Sequence, residues 1–148
     1  ANGWPGGARG PEGYAARAVE VAAQGYTCLK FYPFNGPQVI TPERIERGIE
    51  TVRAVREAVG PYVEIGIDIR ARLNVWSARR VVPRLEPFDV AWIEEPILYD
   101  NVGAMAALAR ETRIPVEVIV VQRFFTGSYY CRIDGVTRRM ERHVSDGI

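Results

Sequence analysis

Residues 89–96 read Asp-Val-Ala-Trp-Ile-Glu-Glu-Pro. The short apolar run Val90 to Ile93 ends in two carboxylates, and Pro96 stops any continuation of the ladder because it has no N–H to donate. The pattern predicts a buried strand with Glu94 and Glu95 at its carboxyl end. In α/β folds that end carries the chemistry, because the loops there vary while the sheet holds their roots rigid. An acidic strand end that simply meets solvent would account for one such Glu. It does not account for the same event occurring twice more upstream.

The upstream events lie in strands separated by helices. Ala1 to Gly10 is rich in Gly and reads as a loop following a strand whose beginning is missing. No Gly-Lys-Ser/Thr follows, so it is not a phosphate-cradling loop. From Pro11, Tyr14, Ala18, Val21 and Ala22 share a helical face, and Gly25 suits the position just past the end. Tyr26 to Phe31 is β-rich and stops at Tyr32-Pro33, with Lys30 at its carboxyl end. Thr41-Pro42-Glu43 signals a helix N-terminus. The helix it opens repeats Ile45, Ile49, Val52, Val55 and Val59 on one stripe and stops at Gly60-Pro61. Val63 to Ile67 is the next strand and ends in Asp68. A third helix, Val75 to Leu85, is expected to be kinked or shortened by Pro83. Asp100-Asn101 caps a fourth, Val102 to Arg110, and Ile114-Pro115-Val116 opens another strand.

Composition narrows the function classes. The chain has 148 residues, 47% of them hydrophobic, which suffices for a core of one domain. A net charge of +1 steers it toward neither nucleic acid nor an acidic surface. The sequence holds no apolar run that would span a bilayer and no basic-then-apolar leader, so a soluble, cytoplasmic protein is expected. Cys28 and Cys131 give neither a disulfide framework nor a metal spacing and are expected as reduced thiols. Lys30 is the only lysine among many arginines, which marks its site.

Alternating strands and helices with short connections imply right-handed βαβ units and a parallel sheet. Lys30, Asp68 and Glu94 terminate successive strands. Such groups converge most naturally at the top of a (β/α) barrel, whereas an open sheet would spread them along an edge. The expected fold is therefore α/β, a partial TIM-type barrel with outer helices. Asp68 and Glu94 would present hard oxygen ligands suited to Mg²⁺. Lys30 would face the metal across a substrate carboxylate, an arrangement able to support abstraction of a proton α to that carboxylate.

The ordered set Gly25-Tyr26-Thr27-Cys28-Leu29-Lys30-Phe31, Ile67-Asp68, Trp92-Ile93-Glu94-Glu95-Pro96 and Thr112-Arg113-Ile114-Pro115-Val116 resembles the mandelate racemase branch of the enolase superfamily. Within it, the chain is most similar to sugar-acid dehydratases of galactonate and gluconate type. Members of that superfamily use a Lys or His base with one or two Mg²⁺ ions. The resemblance covers Ala1 to about Val116 and implies that Asp68 and Glu94 are metal ligands. It makes Glu95 a partner that orients Glu94, and a small sugar acid the substrate. Lys30 matches the first position of the family's Lys-X-Lys motif. The second Lys, the usual base, falls on Tyr32, and Arg70 stands where many dehydratases have His. Lys30, Tyr32 and Arg70 are thus the catalytic candidates, with Arg70 open to either a substrate carboxylate or a surface acid.

The resemblance breaks after Val116. The family's third ligand is a Glu in a Gly-Glu pair about four residues on, and none follows here; Glu117 comes too early, at the strand's start. Residues 117–148 form a divergent tail whose Arg138, Arg139 and Arg142 are balanced by Asp134, Glu141 and Asp146, against a nucleic-acid role. His143 reads as solvated. A full barrel needs about 250 residues. A truncated or frameshifted reading of a longer gene would explain the abrupt start and the foreign tail, and the open edges of a partial barrel predict self-association. The chain itself is then expected to be inactive. The competing readings are a catalytically inert structural fragment and an unrelated flavodoxin-like α/β binding domain.

Overall fold

The computed structural model describes residues 1–34, 40–98, 100–120, 129–133 and 136–140. In chain order they form α1 (Gly10–Ala22), β1 (Cys28–Phe31), α2 (Pro42–Val59), β2 (Glu64–Asp68), α3 (Val75–Leu85), β3 (Trp92–Glu94), α4 (Val102–Glu111), β4 (Val116–Val120), β5 (Tyr129–Ile133) and β6 (Val136–Met140). A short 3-10 turn, Glu86–Phe88, follows α3.

Strands β1 to β4 are parallel and lie in chain order, β1-β2-β3-β4. A doubly wound sheet would reverse its strand order at a switch point. This one does not, which removes the flavodoxin-like reading and leaves the start of a barrel. Outside β1, Ala1 donates its amine to the Cys28 carbonyl and accepts from the Lys30 N–H at 2.9 Å. Beyond β4 the pattern changes, because β5 and β6 join the sheet antiparallel, with Ile133 opposite Val136. Among the described residues no helix is long and apolar enough to cross a membrane.

Alternation along each strand separates core from site. Leu29, Ile65, Ile67 and Ile93 are wholly buried, in one cluster with Ala18, Val52, Val55, Val81, Val82 and Leu85 from the helices. Burying each such aliphatic side chain is worth about 1.5–3 kcal/mol, so the helical layer holds the strands in place. The helices start where local chemistry favours it. Thr41 Oγ accepts from Arg44 N, Asn74 Oδ1 from Ser77 N, and Asn101 Oδ1 from Ala104 N. The close approach of Phe34 to α2 requires Gly48, where a β-carbon would stand 2.4 Å from the ring.

Two expectations are corrected. Helix α3 is not shortened at Pro83 but runs to Leu85. Pro83 lies in the last turn, where its missing N–H removes one bond, to the Arg79 carbonyl, while Ala78, Val81, Val82 and Leu85 stay buried. The ordered ladders are also shorter at their starts than the apolar runs: Tyr26, Val63 and Val90 precede β1, β2 and β3. One side chain that periodicity does not reveal ties two of these starts together. The Arg56 guanidinium donates to the carbonyls of Phe88, Gly60, Val63 and Asp89 at 2.7–2.9 Å, joining the end of α2 to the entries of β2 and β3.

Candidate active site at the strand ends

Lys30, Asp68 and Glu94 all stand at the carboxyl ends of their strands. The register pairs Lys30 with Gly66, Gly66 with Trp92, and Asp68 with Glu94. All lie on the face opposite the helices, since Leu29, Phe31, Ile65, Ile67 and Ile93 alternate with them. Lys30 reaches past β2 to the second strand over, a span of about 10 Å between backbones at 4.8 Å per strand. Its Nζ lies 2.6 Å from Glu94 Oε2, and the Glu94 side chain is 7% exposed. Gly66, the register partner of Lys30 on β2, adds no side chain of its own.

Glu94 is the most deeply buried carboxylate of the group. Burial pushes its carboxyl above the ordinary value, Lys30 pulls it back, and Asp68 and Glu117 push it up again. Burial likewise raises Glu95, with Asp68 and Glu94 adding to it. Glu117 is indeed near the start of its strand. Because β4 is staggered against β3, however, that start is level with the end of β3, and Glu117 is the Cα partner of Glu94. Sequence spacing does not reveal this, since stagger is a property of the curved sheet.

Asp68 is held differently. Its Oδ1 accepts from the Arg70 backbone N–H at 2.9 Å, and its Oδ2 lies 3.6 Å from the Arg70 guanidinium. That guanidinium also stacks over the Tyr32 ring, 4.3 Å from its centroid. The acid that Arg70 faces is Asp68. Glu95 engages its neighbours through its backbone: its N–H donates to the Glu117 carbonyl at 2.9 Å and its carbonyl accepts from Ala71 N at 2.7 Å.

The backbone here is unusual. Among the described residues four non-glycine positions have positive φ, and three of them, Arg70, Ala71 and Glu95, lie in the loops just after β2 and β3. Such conformations cost of order 1–3 kcal/mol each and gather where geometry matters for function. A cleft of about 230 Å³ is lined by Lys30, Tyr32, Asp68 and Arg70, with Asn2, Gly3 and Tyr14 on the side of the first loop. Tyr14 and Asn2 were not legible as site residues; Tyr14 shows only as a core position of α1, and its hydroxyl donates to the Tyr32 carbonyl at 3.4 Å. A larger cleft, about 370 Å³, lies beside the first turns of α1 and α2 and contains none of the strand-end groups. The smaller one holds Lys30, Tyr32, Asp68 and Arg70. Among the described residues no three His, Cys, Asp or Glu side chains gather tightly enough to form a metal cluster.

The chain's relatives share this arrangement of strands. Residues 13–121 match the Enolase C-terminal domain-like family. The D-gluconate dehydratase of Thermoproteus tenax is 44% identical over 104 residues, which are 69% of this chain and 21% of that protein. A mandelate racemase/muconate lactonizing enzyme-like protein from Rubrobacter xylanophilus DSM 9941 superposes with a TM-score of 0.64 at 35% identity, covering 72% of this chain and 29% of that one. The dipeptide epimerase of Cytophaga hutchinsonii, solved with Mg and the dipeptide D-Ala-L-Val, gives a TM-score of 0.63 at 26% identity, covering 73% and 27%. The chain thus spans about a fifth of the length of the curated dehydratase it matches. Its parallel strands in chain order, its outer helices and its match over residues 13–121 place this chain in the enolase superfamily, among the sugar-acid dehydratase-like members of the mandelate racemase branch.

Proposed function

We propose that the strand ends of β1 to β3 are part of a Mg²⁺-dependent site that takes a proton from the carbon α to a carboxylate and dehydrates a sugar acid. The observation that carries this reading is the alignment of Asp68 with Glu94 in register, with the sole lysine bonded to Glu94. The donor set fits the ion: carboxylate oxygens are the hard ligands Mg²⁺ prefers. A buried carboxylate among Asp68 and Glu117 calls for positive charge. Asp68 and Glu94 would hold the metal, and Glu95, anchored by its backbone between β4 and the loop after β2, would fix where Glu94 stands. Magnesium, when bound, supplies positive charge that eases the build-up of negative charge on a substrate carboxylate.

The chain's own residues provide the rest. Lys30 and Arg70 line one cleft with Asp68, so an anionic substrate is favoured there over a neutral one once a divalent cation takes up the charge of the carboxylates that now pair with them. Lys30 counters charge as the α-proton leaves. Tyr32, at the position of the family's usual base, and Arg70, stacked on it, are the groups that can meet that proton or hold the carboxylate. A cytoplasmic setting and a small-molecule sugar-acid substrate belong to the same proposal, supported by the free thiol of Cys28 and by the likeness to a D-gluconate dehydratase. Self-association belongs to it too, and sedimentation velocity tests it: a monodisperse monomer would count against it.

For this 148-residue chain the proposal includes weak Mg²⁺ binding and no turnover. Two fixed carboxylates leave most of the octahedron to water, and a misplacement of about 1 Å at a reacting group can cost about 100-fold. Calorimetric titration with Mg²⁺ and an assay over a panel of sugar acids test both parts. Weak binding lost in Asp68→Ala with no dehydration is expected. Micromolar binding would overturn the weak affinity, any metal-dependent dehydration would overturn the inactivity, and binding unaffected by Asp68→Ala would overturn the ligand assignment.

A further inference from the structure

The Lys30 ammonium and a divalent cation have claims on the same carboxylate. Nζ sits 2.6 Å from Glu94 Oε2, with the two side chains 20% and 7% exposed. Little water separates groups packed this closely, so a second cation on that carboxylate meets the ammonium at short range with weak screening. Asp68, Glu94 and Glu117 together favour the more highly charged of two competing cations. Lys30 is the member of the pair that can leave. It ends a flexible four-carbon stem, and its side chain already lines the cleft shared with Tyr32 and Arg70. Asp68, by contrast, is held by the Arg70 backbone N–H and guanidinium.

We propose that Lys30 and the metal exchange places: a divalent cation binding at Asp68 and Glu94 displaces the Lys30 ammonium from Glu94 into the cleft. There the ammonium becomes available to a substrate carboxylate. The exchange orders the two ligands, because the ammonium is released for the anion only once the metal has taken Glu94. It also means that the metal works against the Lys30–Glu94 ion pair on entry. The inference rests on the reading of Asp68 and Glu94 as metal ligands, and the test separates the two.

Lys30 is the only lysine in the chain, so side-chain amine acylation reports this site alone. The unmodified full chain is labelled with trace acetic anhydride across a Mg²⁺ titration, the Lys30 peptide is quantified, and calorimetry follows binding in parallel. Labelling of Lys30 is expected to rise several-fold with the same midpoint as the calorimetric isotherm, and both signals are expected to vanish in Asp68→Ala. Lys30→Met is expected to bind Mg²⁺ about tenfold more tightly, equivalent to about 1.4 kcal/mol. The same variant should be less resistant to urea than the parent in chelator and should recover on adding Mg²⁺, since the metal then neutralises Glu94. Mg²⁺ binding that depends on Asp68 but leaves Lys30 labelling unchanged, or lowers it, would overturn the exchange while the ligand assignment stands. Absence of any Mg²⁺ binding would overturn both.

Discussion

Gly66 and Trp92 are register partners on β2 and β3, and the Trp92 indole occupies the space that a side chain at position 66 would need: a β-carbon there would stand 2.2 Å from the ring. The indole Nε1 is buried without a hydrogen-bond partner, so packing alone holds the ring. Gly66→Ala is therefore expected to push the indole aside at a cost of about 1–3 kcal/mol. It should also disturb the Lys30–Glu94 contact that crosses β2. Urea unfolding followed by tryptophan fluorescence checks it; parental stability would mean that the indole is not confined.

Arg56 carries a second prediction. Four carbonyls, from the residue after α2 and the entries of β2 and β3, accept from one guanidinium, which is half-buried. Arg56→Ala should cost about 2–3 kcal/mol, the scale for hydrogen bonds from a charged group. Arg56→Lys should recover little of it, because an ammonium lacks the planar fork that meets several carbonyls at once. Equilibrium unfolding of the two variants decides this, and a fully rescuing Lys would show that charge alone matters.

The stripe of α2 packs as its period predicts, with Ile49 7% exposed and Val52 and Val55 wholly buried. Ile49→Asp should destabilise by more than about 3 kcal/mol, since an unpaired carboxylate would be left in the core. Its exposed neighbour provides the control: Glu50→Ala should change stability by no more than about 0.5 kcal/mol. Similar midpoints for the two in urea would contradict the packing.

Glu86 links the turn after α3 to the entry of β4, accepting from Arg113 N at 3.0 Å and from Thr112 Oγ at 2.9 Å. The backbone N–H of Arg113 first, and then the Thr112 hydroxyl, hold its carboxyl below the ordinary value of 4.5. A depressed carboxyl contributes stability that is present above its unfolded value and is lost as the pH falls through its folded one. Acidification from just above pH 4.5 should therefore weaken the parent more than Glu86→Gln, and the two should differ by a constant amount near neutrality. Because Glu86 is only half-buried, added salt should shrink the difference. Parallel stability curves for the two proteins from pH 6 to about pH 3 would refute the linkage.

Much of the candidate site was legible because it depends on residues close in sequence. An apolar run that stops at a polar group places that group at a strand end wherever the strand later sits. Lys30, Asp68 and Glu94 were located in this way. The β5–β6 pair also left a local signal, Asp134-Gly135 between two β-rich runs, but the tail's lack of clean periodicity hid it; residues 134 and 135 themselves lie outside the described residues, as does His143.

By itself, the sequence determined the order of strands and helices, the capped starts of α2 and α4, the buried stripe of α2 and the strand ends that carry charge. These follow from alternation and near-neighbour hydrogen bonds, which the chain encodes over a few residues. Only the tertiary structure decided that Lys30 pairs with Glu94 rather than with the nearer Asp68, that Arg70 turns to Asp68 and Tyr32, that Glu117 is level with Glu94, and that Arg56 joins three elements. The Lys30–Glu94 pair and the level of Glu117 depend on how far one strand is staggered against the next. Stagger is set by the packing of helices onto a twisted sheet, through contacts between residues far apart in the chain, and no local pattern of residues contains it.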